Sequence, residues 1–238
     1  MTVHQCNRVT GHRTSNLRPQ GAFTLAELLI AVAVLGVGLS MVASLFPAAL
    51  RENQRSTDDV LGSIICQNGL AVVKSKVTHS SDPFSGHTWF SNYSGLGNDC
   101  YFPVGDSDSN MGFCITGRMI EAGKNDYVIA ILAYRTRTSA NPIVRWINGT
   151  ISDLDDVSEV SVTNNPHFVQ MGTPMLIGSG ADAGAWGYVV AWDEANSKAV
   201  LDRRLPPGAN VSMRVLHENG ATESPAIGVL IARTALKD

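Results

Sequence analysis

A single carboxylate, Glu27, stands at the entrance of a long apolar segment and is the residue whose chemistry most needs an explanation. Residues 28–50 form a run of 23 residues without a charged side chain. A charged side chain at bilayer depth costs about 2.5–3.5 kcal/mol on insertion scales. A carboxylate at this position therefore needs a partner that compensates its charge.

A second candidate is a metal site in an acidic loop. Asp106, Asp108 and Asn110 match the D-x-D-x-N opening of a calcium-binding loop, which supplies oxygen ligands from alternate positions. The glycine expected directly after Asn110 is Met111, and the twelfth position is Gly117 rather than a bidentate glutamate. A solvated acidic turn is the favoured interpretation, calcium is the alternative, and we expect no other cofactor.

The cysteines predict one covalent link. Cys100 and Cys114 lie in a loop-rich stretch, and we expect them to form a disulfide in an oxidising compartment. Cys66 falls in a predicted helix and is interpreted as a buried apolar residue, while Cys6 lies in the basic N-terminal segment. In a reducing compartment the thiols of Cys66, Cys100 and Cys114 would all be free.

Catalytic patterns are missing from the sequence. The histidines show no H-E-x-x-H spacing, and the chain contains no G-x-S-x-G or Walker-type motif. The glycine-rich segment 178–184 precedes a predicted strand rather than a helix, so it is interpreted as a hairpin connection and not as a phosphate loop. We expect the protein not to be an enzyme.

The N-terminal segments that position Glu27 are a basic leader and a membrane-spanning helix. Residues 1–22 contain three arginines and no acid, so the positive-inside rule keeps the N-terminus cytoplasmic and exports the rest. A helix of 23 residues is about 35 Å long, enough for a hydrocarbon core of about 30 Å. A secretory signal peptide is the competing interpretation, but its apolar region is shorter, about 7–15 residues.

The helix is predicted to continue beyond the membrane as an amphipathic segment to about residue 77, with a kink or melted turn near Pro47. Its expected apolar stripe consists of Val60, Leu61, Ile64, Ile65, Val72, Val73 and Val77. One stripe of this kind should pack on a globular head.

From about residue 78 the sequence changes to short β-rich runs separated by turn residues. Predicted strands cover 112–118, 127–137, 143–147, 157–163, 174–177, 186–192, 198–202, 211–216 and 226–232. Segments 193–197 and 206–208 are predicted hairpin turns, and 169–232 is predicted to be a partly closed barrel. The fold class is α+β: a long N-terminal helix (23–77, spanning the membrane over about 28–50) and a mostly antiparallel β head (78–238).

The N-terminal pattern resembles that of the type IV pilin-like proteins, which include the pseudopilins of type II secretion systems. Phe23, Thr24, Leu25 and Glu27 match the F-T-L-x-E motif that follows a basic leader and precedes an apolar helix. The resemblance implies that a prepilin peptidase removes the leader and that the new N-terminal residue, Phe23, is methylated. That family usually has glycine directly at the cut, whereas here Gly21 is followed by Ala22, so cleavage after Ala22 is favoured and cleavage after Gly21 stays open.

The resemblance also implies a role and partners. Glu27 would face the N-terminal amine of a neighbouring subunit, and the chain would be a minor pilin or pseudopilin in a type IV pilus or a type II secretion pseudopilus. Expected partners are other pilin subunits, the prepilin peptidase, the inner-membrane assembly platform and the membrane, with the head in the periplasm before assembly. Alternatives are a filament-tip adhesin or, less favoured, a membrane-anchored exported enzyme.

Charge argues against nucleic acid as a partner of the head. The whole chain has a formal net charge of −3, and without the three leader arginines the balance is 15 basic against 21 acidic residues, a net charge of −6. A polyanion is repelled by such a surface.

Overall fold

A computed structural model describes residues 24–78, 83–84, 90–103, 109–121, 124–136, 142–221 and 224–236. By its internal contacts the chain divides into two compact units, Met1–Glu52 and Asn53–Asp238. The helix α1 (Leu25–Lys76) contributes its first part to the first unit and its second part to the second unit. The strands of the described chain all lie in the second unit, so the predicted α+β class is confirmed.

Helix α1 passes through Pro47 without a break. The expected melted turn near this residue is therefore absent from the structure, although proline removes one backbone hydrogen bond there. At the other end, Lys74 and Lys76 occupy the last turn, where cations interact favourably with the helix dipole. Lys76 also forms an ion pair of 2.5 Å with Asp99.

The head contains a four-stranded antiparallel sheet and a closed six-stranded barrel. The sheet has the order β1-β2-β3-β10, and the barrel has the order β4-β5-β8-β7-β6-β9. In chain order the strands are β1 (Ser91–Tyr93), β2 (Met111–Met119), β3 (Tyr127–Arg135), β4 (Ile143–Leu154), β5 (Val157–Val162), β6 (Pro174–Ile177), β7 (Trp186–Asp193), β8 (Lys198–Leu201), β9 (Gly208–His217) and β10 (Ala226–Thr234).

Strand β3 is buried on both faces, which explains its nearly continuous apolar sequence. Alternate side chains point to opposite faces of a strand. Ile129 and Ile131 belong to the core that the sheet shares with the second part of α1, whereas Leu132 and Tyr134 pack against the barrel residues Val144 and Leu216. The sheet is thus a central layer between helix and barrel.

Small residues of α1 bring the helix close to the sheet. Gly62, Cys66 and Gly69 are buried at helical spacing. A Cβ atom on Gly62 would overlap the carbonyl oxygen of Ile227, and one on Gly228 would lie 2.9 Å from the Cα of Gly62. Backbone therefore meets backbone at this crossing.

The buried face of α1 differs from the predicted stripe in part. Ile65, Val73 and Val77 are buried as expected, but Val60 and Ile64 are 60% and 43% exposed. The prediction considered only large apolar side chains. The interface is instead centred on Gly62 and on other small residues that permit close approach of α1 to the sheet.

The barrel encloses its own apolar core and is joined to the sheet by a buried arginine. Inward residues include Ile147, Met175 and Val215. On the outside, the Arg214 guanidinium lies 3.1 Å from the centre of the Trp146 ring, and its Nε donates a 3.1 Å hydrogen bond to the Phe90 carbonyl ahead of β1. Burial lowers the pKa of Arg214 to about 9.

Two predictions about the barrel are wrong. The barrel begins at Ile143 rather than at residue 169, and its closure is complete; β10 pairs with β3 of the sheet and is not a barrel strand. Segment 206–208 is not a hairpin turn, because β8 pairs with β5 and β7 while β9 pairs with β4 and β6. The hairpin of β7 and β8 is confirmed, and Asn196 Nδ2 donates a 2.6 Å hydrogen bond to Asp193 in its turn.

We expect the substitution Gly62→Ala to destabilise the head by about 1–3 kcal/mol, because the added methyl group forces rigid backbone apart. The same change at a solvated helix position would stabilise by about 1 kcal/mol. Urea unfolding of residues 53–238 measures the effect. The neighbouring exposed position supplies the control, since Ser63→Ala should change the free energy of unfolding by less than about 0.5 kcal/mol. Unchanged or increased stability of Gly62→Ala would contradict the packing account.

Candidate assembly site

Glu27 and Thr24 form a reciprocal cap at the start of α1. The Thr24 backbone N–H and hydroxyl donate hydrogen bonds of 2.9 and 3.1 Å to Glu27 Oε2, and the Glu27 backbone N–H donates one of 3.2 Å to Thr24 Oγ1. This is a capping box, which satisfies backbone N–H groups that have no partner at a helix start. The carboxylate also interacts favourably with the positive end of the helix dipole.

The cap uses only one oxygen of the carboxylate. Both hydrogen bonds from Thr24 end on Oε2, and Oε1 accepts none from the residues that the structure describes. A carboxylate accepts about four hydrogen bonds in total. Glu27 therefore has the capacity to keep its cap and to bind an external cation at the same time.

The apolar residues that follow are not covered by the chain itself. All of residues 24–57 are exposed, and the first buried residue of the described chain is Gly62. The core helix of a soluble protein would be mostly buried, whereas here the most apolar 18-residue window of α1 is 0% buried. By length and composition, α1 is the one helix of the described residues that could cross a membrane.

The polar groups within this apolar segment are satisfied locally. The hydroxyls of Ser40 and Ser44 donate hydrogen bonds of 2.8 and 2.7 Å to the carbonyls of Val37 and Met41, one turn earlier. Apart from the adjacent residues and backbone of α1 itself, no described atom lies within 4 Å of a Cβ placed on Gly36. This surface is suited to lipid and to close approach by another helix, because it leaves no hydroxyl without a partner.

Several predicted site residues lie outside the described part of the chain. Gly21, Ala22 and Phe23, assigned to cleavage and methylation, are among them, and so are the proposed calcium ligands Asp106 and Asp108. Asn110 is described, and its carbonyl accepts a 2.7 Å hydrogen bond from the Thr136 N–H. The described residues contain no group of three His, Cys, Asp or Glu side chains that could hold a metal.

The predicted disulfide partners lie around one cavity as free thiols. Cys100 and Cys114 both line a cavity of about 280 Å³, and their sulfurs donate to the carbonyls of Gly97 and Pro142. Burial, with a smaller contribution from Cys100, raises the pKa of Cys114 to about 12, and burial also raises the pKa of Cys100. The disulfide stays a prediction.

The interpretation of Cys66 agrees with the structure. Its side chain is buried between α1 and the sheet, with the sulfur 3.6 Å from the Ile131 carbonyl, and burial raises its pKa to about 11. The thiol is therefore protonated at neutral pH and behaves as a small apolar group.

Sequence reasoning missed the capping role of Glu27. The signal was present as Thr24 followed three residues later by a glutamate and then by an apolar run, the pattern of a capping box. The interpretation of Glu27 considered only the cost of a charge near the membrane and left out its local hydrogen bonds.

Comparison with known proteins supports one assignment. Residues 17–43 match the family model described as the prokaryotic N-terminal methylation motif, which is the signature of type IV pilins and pseudopilins. A search of curated proteins and a search of solved structures each found no match. The match includes Glu27 and the residues predicted to flank the cleavage site, and it ends before the head.

We expect Cys100 and Cys114 to form a disulfide in oxidised glutathione, at a rate that rises with pH between pH 7 and 9. Only the thiolate attacks, and because burial raises the pKa of both thiols, the thiolate fraction is still increasing over this range. Mass spectrometry of the intact protein detects the loss of two hydrogens. Cys100→Ser should abolish the change and Cys66→Ala should leave it intact; unaltered mass of the parent chain at pH 9 would contradict the pairing.

Proposed function

We propose that this chain, which carries the pilin-type methylation signature, is a minor pilin or pseudopilin that assembles through α1 into a type IV pilus or a type II secretion pseudopilus. The observation that carries the proposal is the combination of the matched motif at residues 17–43 with an apolar helix surface that the chain leaves exposed. In an assembled fibre, the helices of neighbouring subunits would pack together and cover this surface. Before assembly, membrane lipid would cover it.

Processing would create the cation that Glu27 needs. Cleavage before Phe23 produces an α-amine that is largely protonated at neutral pH. In a fibre, the amine of one subunit would approach Oε1 of Glu27 in its neighbour, which accepts no bond from the described residues, while Oε2 keeps the bonds to Thr24. Pairing compensates for the loss of water around both charges, which is the condition for a buried ion pair to be tolerated.

The proposed assembly route implies a set of partners. The leader would remain cytoplasmic until the prepilin peptidase removes it, and the subunit would stay in the inner membrane as a single-pass protein with its head in the periplasm. An inner-membrane assembly platform would then move it into the fibre beside other pilin subunits. We assign the head a structural rather than catalytic role, because the features that support the proposal all serve assembly.

We expect the mature protein to begin at Phe23 and to carry a methylated amine when it is produced with an active prepilin peptidase. N-terminal sequencing and the mass of the tryptic N-terminal peptide identify both changes. Cells without the peptidase supply the control and should retain residues 1–22. A mature chain that begins at Ala22 would move the cut by one residue, and an uncleaved chain in peptidase-positive cells would contradict the proposal.

We expect Glu27→Gln and Glu27→Ala to insert normally in the membrane but to enter fibres at less than about a tenth of the normal level, since a lost ion pair of a few kcal/mol corresponds to at least tenfold. Glutamine can still occupy the third position of a capping box, so this variant removes the charge and keeps the cap. Fractionation and immunoblotting of sheared fibres measure incorporation.

Thr24→Ala is the matched control for Glu27. It removes the hydroxyl of the cap, at a cost of about 1 kcal/mol to the helix start, and leaves the carboxylate charge in place. We expect this variant to be incorporated. Normal incorporation of Glu27→Gln together with failure of Thr24→Ala would show that the cap, and not the charge, is what assembly requires.

A further inference from the structure

The outer edge of β10 has no strand beside it among the described residues. The sheet order ends at β10, whose nine residues AIGVLIART pair only with β3. Every second residue of an edge strand directs its backbone N–H and C=O away from the sheet, where they can pair with another strand. Natural edges usually carry charges or proline against such pairing, yet this strand contains one charge, Arg233, near its end.

This edge forms one side of a groove in the head. A cavity of about 1440 Å³ is lined by Asp59 of α1, by Tyr188 and Val190 of β7, and by Ile227 of β10. A second cavity of about 220 Å³ shares Asp59, Tyr188 and Ile227 with the first and continues along β10 to Leu230. The edge of β10 thus lies between a helical wall and a barrel wall.

The position of the β10 edge in the groove indicates what shape of partner could bind there. The edge of β10 lies between the walls formed by α1 and β7, which favours a narrow occupant over a second whole head. The other strands described offer little to a partner, since the barrel is closed and β1 has only three residues. A single extended segment fits the groove, as peptides do in β-strand addition.

The charged and apolar side chains of the groove indicate which residue types a bound segment would carry. Two acidic residues of the groove are already paired, Asp58 with Arg135 at 2.7 Å and Asp202 with Arg203 at 3.2 Å. Among the described residues, the carboxylates of Asp59 and Glu194 have no ion pair, and these two anions outnumber Arg55, the one arginine that lines the groove. Apolar side chains are also exposed along the groove, with Met171 60% and Val190 49% accessible.

We propose that this groove binds an extended segment of another protein subunit, rich in alternating basic and apolar residues, which adds as a strand to the free edge of β10. The backbone of the segment pairs with β10, its cations face Asp59 and Glu194, and its apolar side chains pack on Val190 and Met171. Only the identity of the partner as a fibre subunit rests on the proposed function; the binding chemistry does not.

The head, residues 53–238, is a suitable protein for the test because every buried residue of the described chain lies at or beyond Gly62. The probes are three fluorescent nine-residue peptides: one alternating lysine and valine, one with glutamate in place of lysine, and one lysine peptide with alternate backbone nitrogens methylated. Fluorescence anisotropy measures binding. The lysine peptide should bind saturably, and the other two should bind at least about tenfold more weakly, a difference of about 1.4 kcal/mol.

Matched variants locate the site on the head. Asp59→Lys and Val190→Lys should each weaken binding of the lysine peptide at least about tenfold. The controls are Asp156→Lys in the turn between β4 and β5 and Leu154→Lys at the end of β4. Both change exposed residues, one acidic and one apolar, and should leave binding unchanged. Circular dichroism of all four variants verifies that each head is folded.

Three results would overturn the proposal: no saturable binding of the lysine peptide, equal binding of the backbone-methylated peptide, or equal effects of the groove and control variants. The fragment lacks residues 1–52, so a negative result leaves the cleavage and Glu27 predictions untouched. Conversely, failure of fibre incorporation tests does not change peptide binding by the isolated head, and the two proposals can fail separately.

Discussion

The protein depends on one constraint: an apolar helix surface that its own chain does not cover. Fully burying a leucine, isoleucine or valine side chain is worth about 1.5–3 kcal/mol, and twelve such side chains between residues 25 and 50 are exposed. Their stabilisation must come from lipid or from other protein. The head consequently needs a core of its own, and its buried residues begin only at Gly62.

The sequence was informative where local pattern decides structure and less informative where distant segments choose partners. Nine of the ten strands were located because alternation and turn residues mark them within a short window. The pairing of β10 with β3 joins residues about a hundred positions apart, and the partly closed barrel predicted for 169–232 wrongly included β10. The three-residue strand β1 is too short for any periodicity to indicate it.

The candidate site shows the same division. The spacing of Thr24 and Glu27 is that of a capping box, so the cap could have been predicted from the sequence. The matched methylation motif agrees with the resemblance of residues 23–27 to the pilin pattern. The sequence could not predict which carboxylate oxygen of Glu27 accepts each hydrogen bond. In the structure the cap occupies Oε2 and leaves Oε1 without a described partner. Similarly, Gly62 is not part of the apolar stripe that the sequence predicts, but the structure shows that only glycine fits there, where α1 meets the backbone of β10.

The barrel is inserted between two strands that are neighbours in the sheet. Tyr134 near the end of β3 pairs with Ala226 at the start of β10, so the chain leaves the sheet and returns to it at the same place. An insertion whose ends already meet adds little closure cost, because that cost grows only with the logarithm of loop length. The insertion also supplies, through β7, one wall of the groove beside β10. In the proposed role, the N-terminal part of α1 gives the subunit what any fibre member needs, while the barrel determines which segment reaches the free edge of the sheet.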